Sequence, residues 1–233
     1  MPRGLYLAAY FFYSELNMKQ KLSLEHNYRA PQGSLDKAPC IVMLHGYGSD
    51  ENDLFSFASE LPVEYAIISL KAPIAMQPFG NAWYNIYFDN SEGKFSDDEQ
   101  AIASRDLAVG CLDEIISVYP VDPDNITLLG FSQGTILSFA MALSYPEKVK
   151  QVVGLSGYIN EKIVKEGYAD NDFSKLRVYS SHGSVDQVIP VEWARKTKPF
   201  LEKLNIPVTY SEFPVGHGVA PQNFFEFKKW LEE

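Results

Sequence analysis

The sequence predicts an α/β fold in three layers, a mainly parallel sheet with helices on both faces. Three observations carry that expectation. Short apolar runs rich in Val, Ile and Leu, such as Cys40-Ile41-Val42-Met43-Leu44 and Tyr65-Ala66-Ile67-Ile68-Ser69-Leu70, lack the alternation of a half-exposed strand, as expected where both sheet faces are covered. They alternate with segments whose apolar residues recur at helical spacing. Several runs end in small-residue loops, where functional groups of such sheets gather. The length of 233 residues suits one domain, and the composition, 46% hydrophobic and 21% charged, is ordinary for a globular chain without repeats.

Taken in order, residues 1–17 place Arg3 ahead of a ten-residue apolar run that is too short to span a bilayer and is followed by no small-x-small cleavage site. They read as an extension upstream of a translation start at Met18, with the domain occupying residues 18–233. An edge strand is expected over 22–28, a Pro-Gln-Gly-Ser turn at 31–34, and a buried strand over 40–44 that ends in His45-Gly46-Tyr47-Gly48. A helix over 53–61 and a strand over 65–70 follow. Residues 75–95 show few regular signals but contain Met76, Phe79, Trp83, Tyr84, Tyr87 and Phe88. So many aromatics suggest a segment that covers a binding site, and the alternative is a loop folded on its own apolar cluster.

Acidic residues at Asp97, Asp98 and Glu99 open a helix to about residue 119, at the end that the helix dipole favours. Strand 126–129 then runs into Gly130-Phe131-Ser132-Gln133-Gly134, and Ile136, Leu137, Ala140, Met141 and Leu143 mark a helix that stops before Pro146. Further strands are expected over 149–155, 176–181 and 208–213, and helices over 190–204 and 221–231.

A net charge of −10 without a Lys/Arg cluster speaks against nucleic-acid binding. Cys40 and Cys111 have no metal-like spacing and read as buried thiols suited to a reducing cytoplasm. Neither a cofactor, nor a metal, nor stable membrane insertion is expected, and composition leaves a homodimer open. His45 and His182 read as loop anchors and His26 as a surface residue of the edge strand.

The chemistry centres on Ser132. A glycine-bracketed serine between a strand and a helix forms a turn so tight that Cβ atoms two positions away would clash. The helix then aims free N–H groups at the serine, where negative charge develops in acyl transfer. An ordinary helix cap is the competing reading. Asp186 follows one strand and His217 sits between glycines after the last, giving the chain order Ser, Asp, His. His217 would take the proton of Ser132 and return it to the leaving group, while Asp186 orients the imidazole. Asp170 and Asp172 are alternative acids in a polar stretch upstream of a strand. The backbone N–H groups of Gln133 and Tyr47 are the candidate oxyanion donors.

His45-Gly46-Tyr47-Gly48, Asn81-Ala82-Trp83-Tyr84, Gly130-Phe131-Ser132-Gln133-Gly134, His182-Gly183 with Asp186, and Gly216-His217-Gly218 together resemble the phospholipase/carboxylesterase family, which includes the acyl-protein thioesterases. The resemblance covers about residues 18–233. It implies the α/β-hydrolase fold, a triad of Ser132, Asp186 and His217, and an oxyanion N–H from Tyr47, where members often carry leucine. It also implies that the aromatic segment with Trp83, Met76 and Phe79 lies beside an acyl channel. The expected activity is a cofactor-independent serine carboxylesterase acting through an acyl-enzyme on small-molecule or lipid esters, thioesters included. A lysophospholipase or acyl-protein thioesterase for long acyl chains, and a non-catalytic binder on the same fold, are the alternatives.

Overall fold

The computed structural model describes residues 20–33, 36–89 and 93–233. The expected extension over 1–17 and the start at Met18 lie outside these residues. The strands are β1 (His26–Arg29), β2 (Ala38–Leu44), β3 (Ala66–Leu70), β4 (Ile74–Ala75), β5 (Asn81–Ala82), β6 (Ile86–Asp89), β7 (Gly93–Ser96), β8 (Val121–Phe131), β9 (Gln151–Leu155), β10 (Arg177–Gly183) and β11 (Val208–Phe213). The α-helices are α1 (Asp98–Val118), α2 (Gln133–Ser144), α3 (Val191–Ala194), α4 (Thr197–Lys203) and α5 (Pro221–Leu231).

Seven strands form one sheet in the order β1-β3-β2-β8-β9-β10-β11. Only β1 runs antiparallel, against β3; the remaining pairs are parallel. The alternation within β2 shows why its sequence is apolar throughout. Cys40, Val42 and Leu44 face a core with α1 and α2, including Leu112, Ile115, Leu137 and Phe139. Ile41 and Met43 face a second core with Leu54 and the α5 residues Phe227, Trp230 and Leu231. Helix α2 is buried at every position, which is why its own sequence is apolar on all sides.

Local chemistry explains where the observed elements depart from the expected ones. The helix expected over 53–61 is a short 3₁₀ turn, Leu54–Phe57. Upstream, Asp50 Oδ1 accepts from the Asn52 N–H at 2.8 Å, and the Ser49 hydroxyl donates to Asp53 Oδ2 at 2.9 Å, so side chains compete for the groups that would start an α-helix. The helix expected over 190–204 divides into α3 and α4, because Pro199 has no N–H to bond back across the junction. Residues 74–96, irregular by sequence, form two small antiparallel pairs, β4 with β5 and β6 with β7.

His26 is buried at 1% exposure rather than on the surface. Its Nε2 lies 2.7 Å from the Tyr119 hydroxyl, so the edge strand turns this side chain against the end of α1. Both cysteines are free and buried. Burial pushes the Cys111 thiol up to about 11, outside the range in which thiolate chemistry operates at neutral pH. Among the described residues, no helix is long and apolar enough to cross a membrane, and no group of three or more His, Cys, Asp or Glu is placed to hold a metal ion.

Candidate active site

At the junction of β8 and α2, Ser132 has φ 53° and ψ −115°, a conformation that costs a non-glycine residue about 1–3 kcal/mol. The surroundings hold it there. Its N–H donates to the Leu155 carbonyl at 2.9 Å, and its carbonyl accepts from the Ile136 N–H at 3.1 Å. The bracketing glycines are required by contact: a Cβ on Gly130 would lie 2.6 Å from the Gly134 carbonyl, and one on Gly134 would lie 1.9 Å from the Leu44 carbonyl oxygen. Sheet and helix therefore approach closely enough to present the serine hydroxyl on the crest of the turn.

Asp186 follows β10, and His217 follows β11, the next strand in the sheet. Both consequently reach the carboxyl end of β8. The Ser132 hydroxyl lies 2.9 Å from His217 Nε2, and His217 Nδ1 lies 2.7 Å from Asp186 Oδ2. An ionised carboxylate only accepts, so Nδ1–H donates to Asp186 and Nε2 accepts from the serine. The N–H groups of Val188 and Ile189 donate to Asp186 Oδ1 at 2.8 and 3.0 Å. Burial pushes this carboxyl up, but the hydrogen bonds from His217, Ile189 and Val188 outweigh it and hold the group below its ordinary 3.8. Phe131 packs its ring 5.0 Å from the His217 imidazole, so the residue before the serine helps set the plane of that ring. Asp172, an alternative acid in the sequence, instead accepts from the Ser174 N–H at 2.9 Å in an exposed turn.

The residues flanking Ser132 are braced from a third direction. His45 Nε2 accepts from the Ala72 N–H at 3.0 Å, so its Nδ1–H donates to the Gly46 carbonyl at 2.7 Å. Trp83 is fully buried; its indole donates to the His45 carbonyl at 3.0 Å, and its carbonyl accepts from the Ser104 hydroxyl. The Gln133 side chain bridges back, accepting from the Trp83 N–H at 2.8 Å and donating to the Tyr84 carbonyl at 2.7 Å. These bonds tie the loop bearing Tyr47 to Trp83, and the helix bearing Gln133 to Trp83 and Tyr84. Gln133→Ala leaves a buried N–H and a buried carbonyl unpaired. It is expected to lower stability by about 2–4 kcal/mol in urea unfolding; a loss under 1 kcal/mol would show that the brace is dispensable.

A profile described as Phospholipase/Carboxylesterase matches residues 29–233. The chain belongs to that family. Among its relatives is a probable carboxylesterase, SOBER1-like, of Arabidopsis thaliana, 28% identical over 116 residues, 48% of this chain and 44% of the relative. Acyl-protein thioesterase 1 of Kluyveromyces lactis is 32% identical over 123 residues, 52% of this chain and 54% of the relative. The chain thus spans about half the length of these curated relatives. The crystal structure of esterase PE8 superposes with a TM-score of 0.75 at 25% identity, over 91% of this chain and 99% of that one. The mostly parallel seven-stranded sheet with its helices is the α/β-hydrolase fold of this family.

Within this phospholipase/carboxylesterase member, Ser132 and His217 open onto a cavity of about 300 Å³. Tyr47 and Gln133, the two candidate oxyanion donors, stand in its wall. Tyr84, Ile86, Ile136, Tyr158, Val188, Ile189 and Trp193 supply most of the apolar surface. Trp83, Met76 and Phe79, expected beside an acyl channel, are not among the residues lining this cavity. The Trp83 indole is bonded to the His45 carbonyl, and Phe79, 79% exposed, faces a separate hollow beside Gly48 and Asp53. Of the residues singled out in that segment, Tyr84 stands in the wall of the cavity. Tyr158, Val188 and Trp193 went unnoticed in the sequence, although each follows the end of a central strand, β9 or β10, where the rule for parallel sheets places binding groups.

Proposed function

We propose that this chain is a serine carboxylesterase that hydrolyses carboxylic esters through an acyl-enzyme. The observation that carries this reading is the unbroken line from Ser132 through His217 to Asp186, at 2.9 and 2.7 Å, on the wall of an apolar cavity. His217 takes the hydroxyl proton as Ser132 attacks the carbonyl carbon, and Asp186 stabilises the transient imidazolium. The N–H groups of Gln133 and Tyr47 receive the oxyanion. The imidazolium protonates the departing alcohol or thiol, and a water activated by the same histidine then releases the acid. Neither a metal nor an organic cofactor enters this sequence. The two unpaired buried cysteines favour a cytoplasmic setting.

A cavity of about 300 Å³ stands at the small end of the usual ligand-pocket range of roughly 300–1,000 Å³, which favours short and medium acyl chains. A series of p-nitrophenyl esters from acetyl to palmitoyl tests this. Expected are burst kinetics and a maximum of kcat/KM below about ten carbons. Equal or rising activity at palmitoyl would overturn the size preference, and absence of turnover across the series would overturn the esterase reading.

One observation favours a second reading, a lysophospholipase or acyl-protein thioesterase for long chains. A neighbouring hollow of about 320 Å³ shares Tyr158 and Trp193 with the first cavity. The two rings meet edge to face at 5.1 Å and separate the spaces. Trp193→Ala is therefore expected to raise the palmitoyl-to-butyryl ratio of kcat/KM by about tenfold, each added buried methylene being worth roughly 0.8 kcal/mol. An unchanged ratio would mean that the rings do not limit chain length.

A further inference from the structure

β10 carries an imidazole that the triad does not use. His182, near its carboxyl end, has no exposed side-chain surface. Its Nε2 stands 2.9 Å from the Ile189 carbonyl oxygen and 3.2 Å from Asp186 Oδ2. Both neighbours are acceptors, so Nε2 carries the hydrogen. Nδ1 is buried with no hydrogen-bond partner among the described residues, and this suits the lone-pair nitrogen, because an unsatisfied acceptor is tolerated in the interior better than an orphan N–H.

The geometry points to His182 as a positioning residue for the triad: its single N–H donates to the Ile189 carbonyl and stands beside the Asp186 oxygen that faces His217. The same Ile189 residue donates its own N–H to Asp186 Oδ1 at 3.0 Å and lines the substrate cavity. His182 thereby fixes both the catalytic carboxylate and the cavity wall beside it. It also offsets part of the carboxylate's charge, which tempers the attraction between Asp186 and the imidazolium formed in turnover. The other charged group close to His182 is Glu212 on β11, its partner in register. Arg195 binds that carboxylate through two bonds of 2.7 and 2.8 Å, and Tyr210 donates to it at 3.1 Å, so its charge is already compensated.

This inference rests on the esterase reading. The test uses the full chain and p-nitrophenyl butyrate, measuring kcat/KM against pH for the wild type, His182→Leu and His182→Gln. A glutamine amide nitrogen reaches about as far as Nε2 and can donate to the same Ile189 carbonyl beside Asp186, whereas leucine cannot donate. In the leucine variant, Asp186 loses the N–H dipole that stands beside Oδ2 and attracts the imidazolium more strongly. The acidic limb of its profile is expected to move to higher pH by roughly half a unit. Its kcat/KM should fall about tenfold or more as the acid loses its fixed place. The glutamine variant is expected to keep the wild-type limb and most of the activity. A folded leucine variant with an unmoved limb, or a glutamine variant displaced as far as leucine, would overturn the proposal and leave His182 a packing residue. If His182→Leu does not fold, His182→Asn, whose amide stops short of Asp186, is read by the same criteria. Fluorophosphonate labelling of Ser132 in the wild type tests the esterase reading separately, so the two can fail independently.

Discussion

Ser132→Ala is expected to reduce ester turnover by about 10⁴- to 10⁶-fold and to abolish labelling by a fluorophosphonate, with the fold unchanged. Only one hydrogen bond of the hydroxyl is lost, the 2.9 Å contact with His217, while the backbone bonds that impose the turn remain. Alanine meets the same φ of 53° with the same Cβ that serine carries, so melting within a few degrees of the wild type is expected. The residual rate should reflect binding and the oxyanion donors alone, since a weak base with no nucleophile to activate contributes little. Retention of more than about 1% of the activity would require a different nucleophile, and the proposal for Ser132, His217 and Asp186 would then be abandoned.

Gly134→Ala should have the largest effect on stability. The added Cβ would stand 1.9 Å from the Leu44 carbonyl oxygen, 2.5 Å from its carbon and 2.7 Å from the His45 carbonyl oxygen. All three are backbone atoms at the end of β2, which is hydrogen-bonded on both sides to β3 and β8, so no side-chain rotation relieves the overlap. A loss of about 3–5 kcal/mol is expected, a large share of the roughly 5–15 kcal/mol available to a domain. In thermal unfolding this appears as a drop of roughly 10 °C or more, or as failure to accumulate folded protein. Gly110→Ala is the matched control. A Cβ there meets nothing within 4 Å, and the exposed interior of α1 gains helix propensity, so a gain of about 0.5–1 kcal/mol is expected. If the two variants changed stability alike, steric contact at the elbow would not be the cause.

The parts of the site that were legible in the sequence are those written in local pattern. Gly130, Ser132 and Gly134 announce their turn because the clash that excludes other residues involves atoms of the same strand–turn–helix unit and its immediate neighbour. Asp186 and His217 could be picked out as candidates because each follows a strand, and parallel strands bring their carboxyl ends to one edge. His26 was misplaced for the opposite reason: its burial depends on Tyr119, a residue 93 positions away whose approach nothing in the edge strand records. Trp83 shows the same limit in finer form. Composition placed an aromatic near the site, but three hydrogen bonds, to His45, Gln133 and Ser104, turned it into a brace and left Tyr84, Tyr158 and Trp193 to line the cavity.

By itself, then, the sequence determined the seven strands of the main sheet and its three longest helices, the elbow at Ser132 and the order of serine, aspartate and histidine. These follow from periodicity and from steric rules that act over a few residues. The tertiary structure alone decided that His217 reaches both Ser132 and Asp186, that His182 stands against the same carboxylate, and that Tyr158 and Trp193 line both the cavity and the hollow beside it. Those are contacts between separate strand ends and loops, fixed by strand order and register, and spacing along the chain does not encode either distance or direction across the sheet.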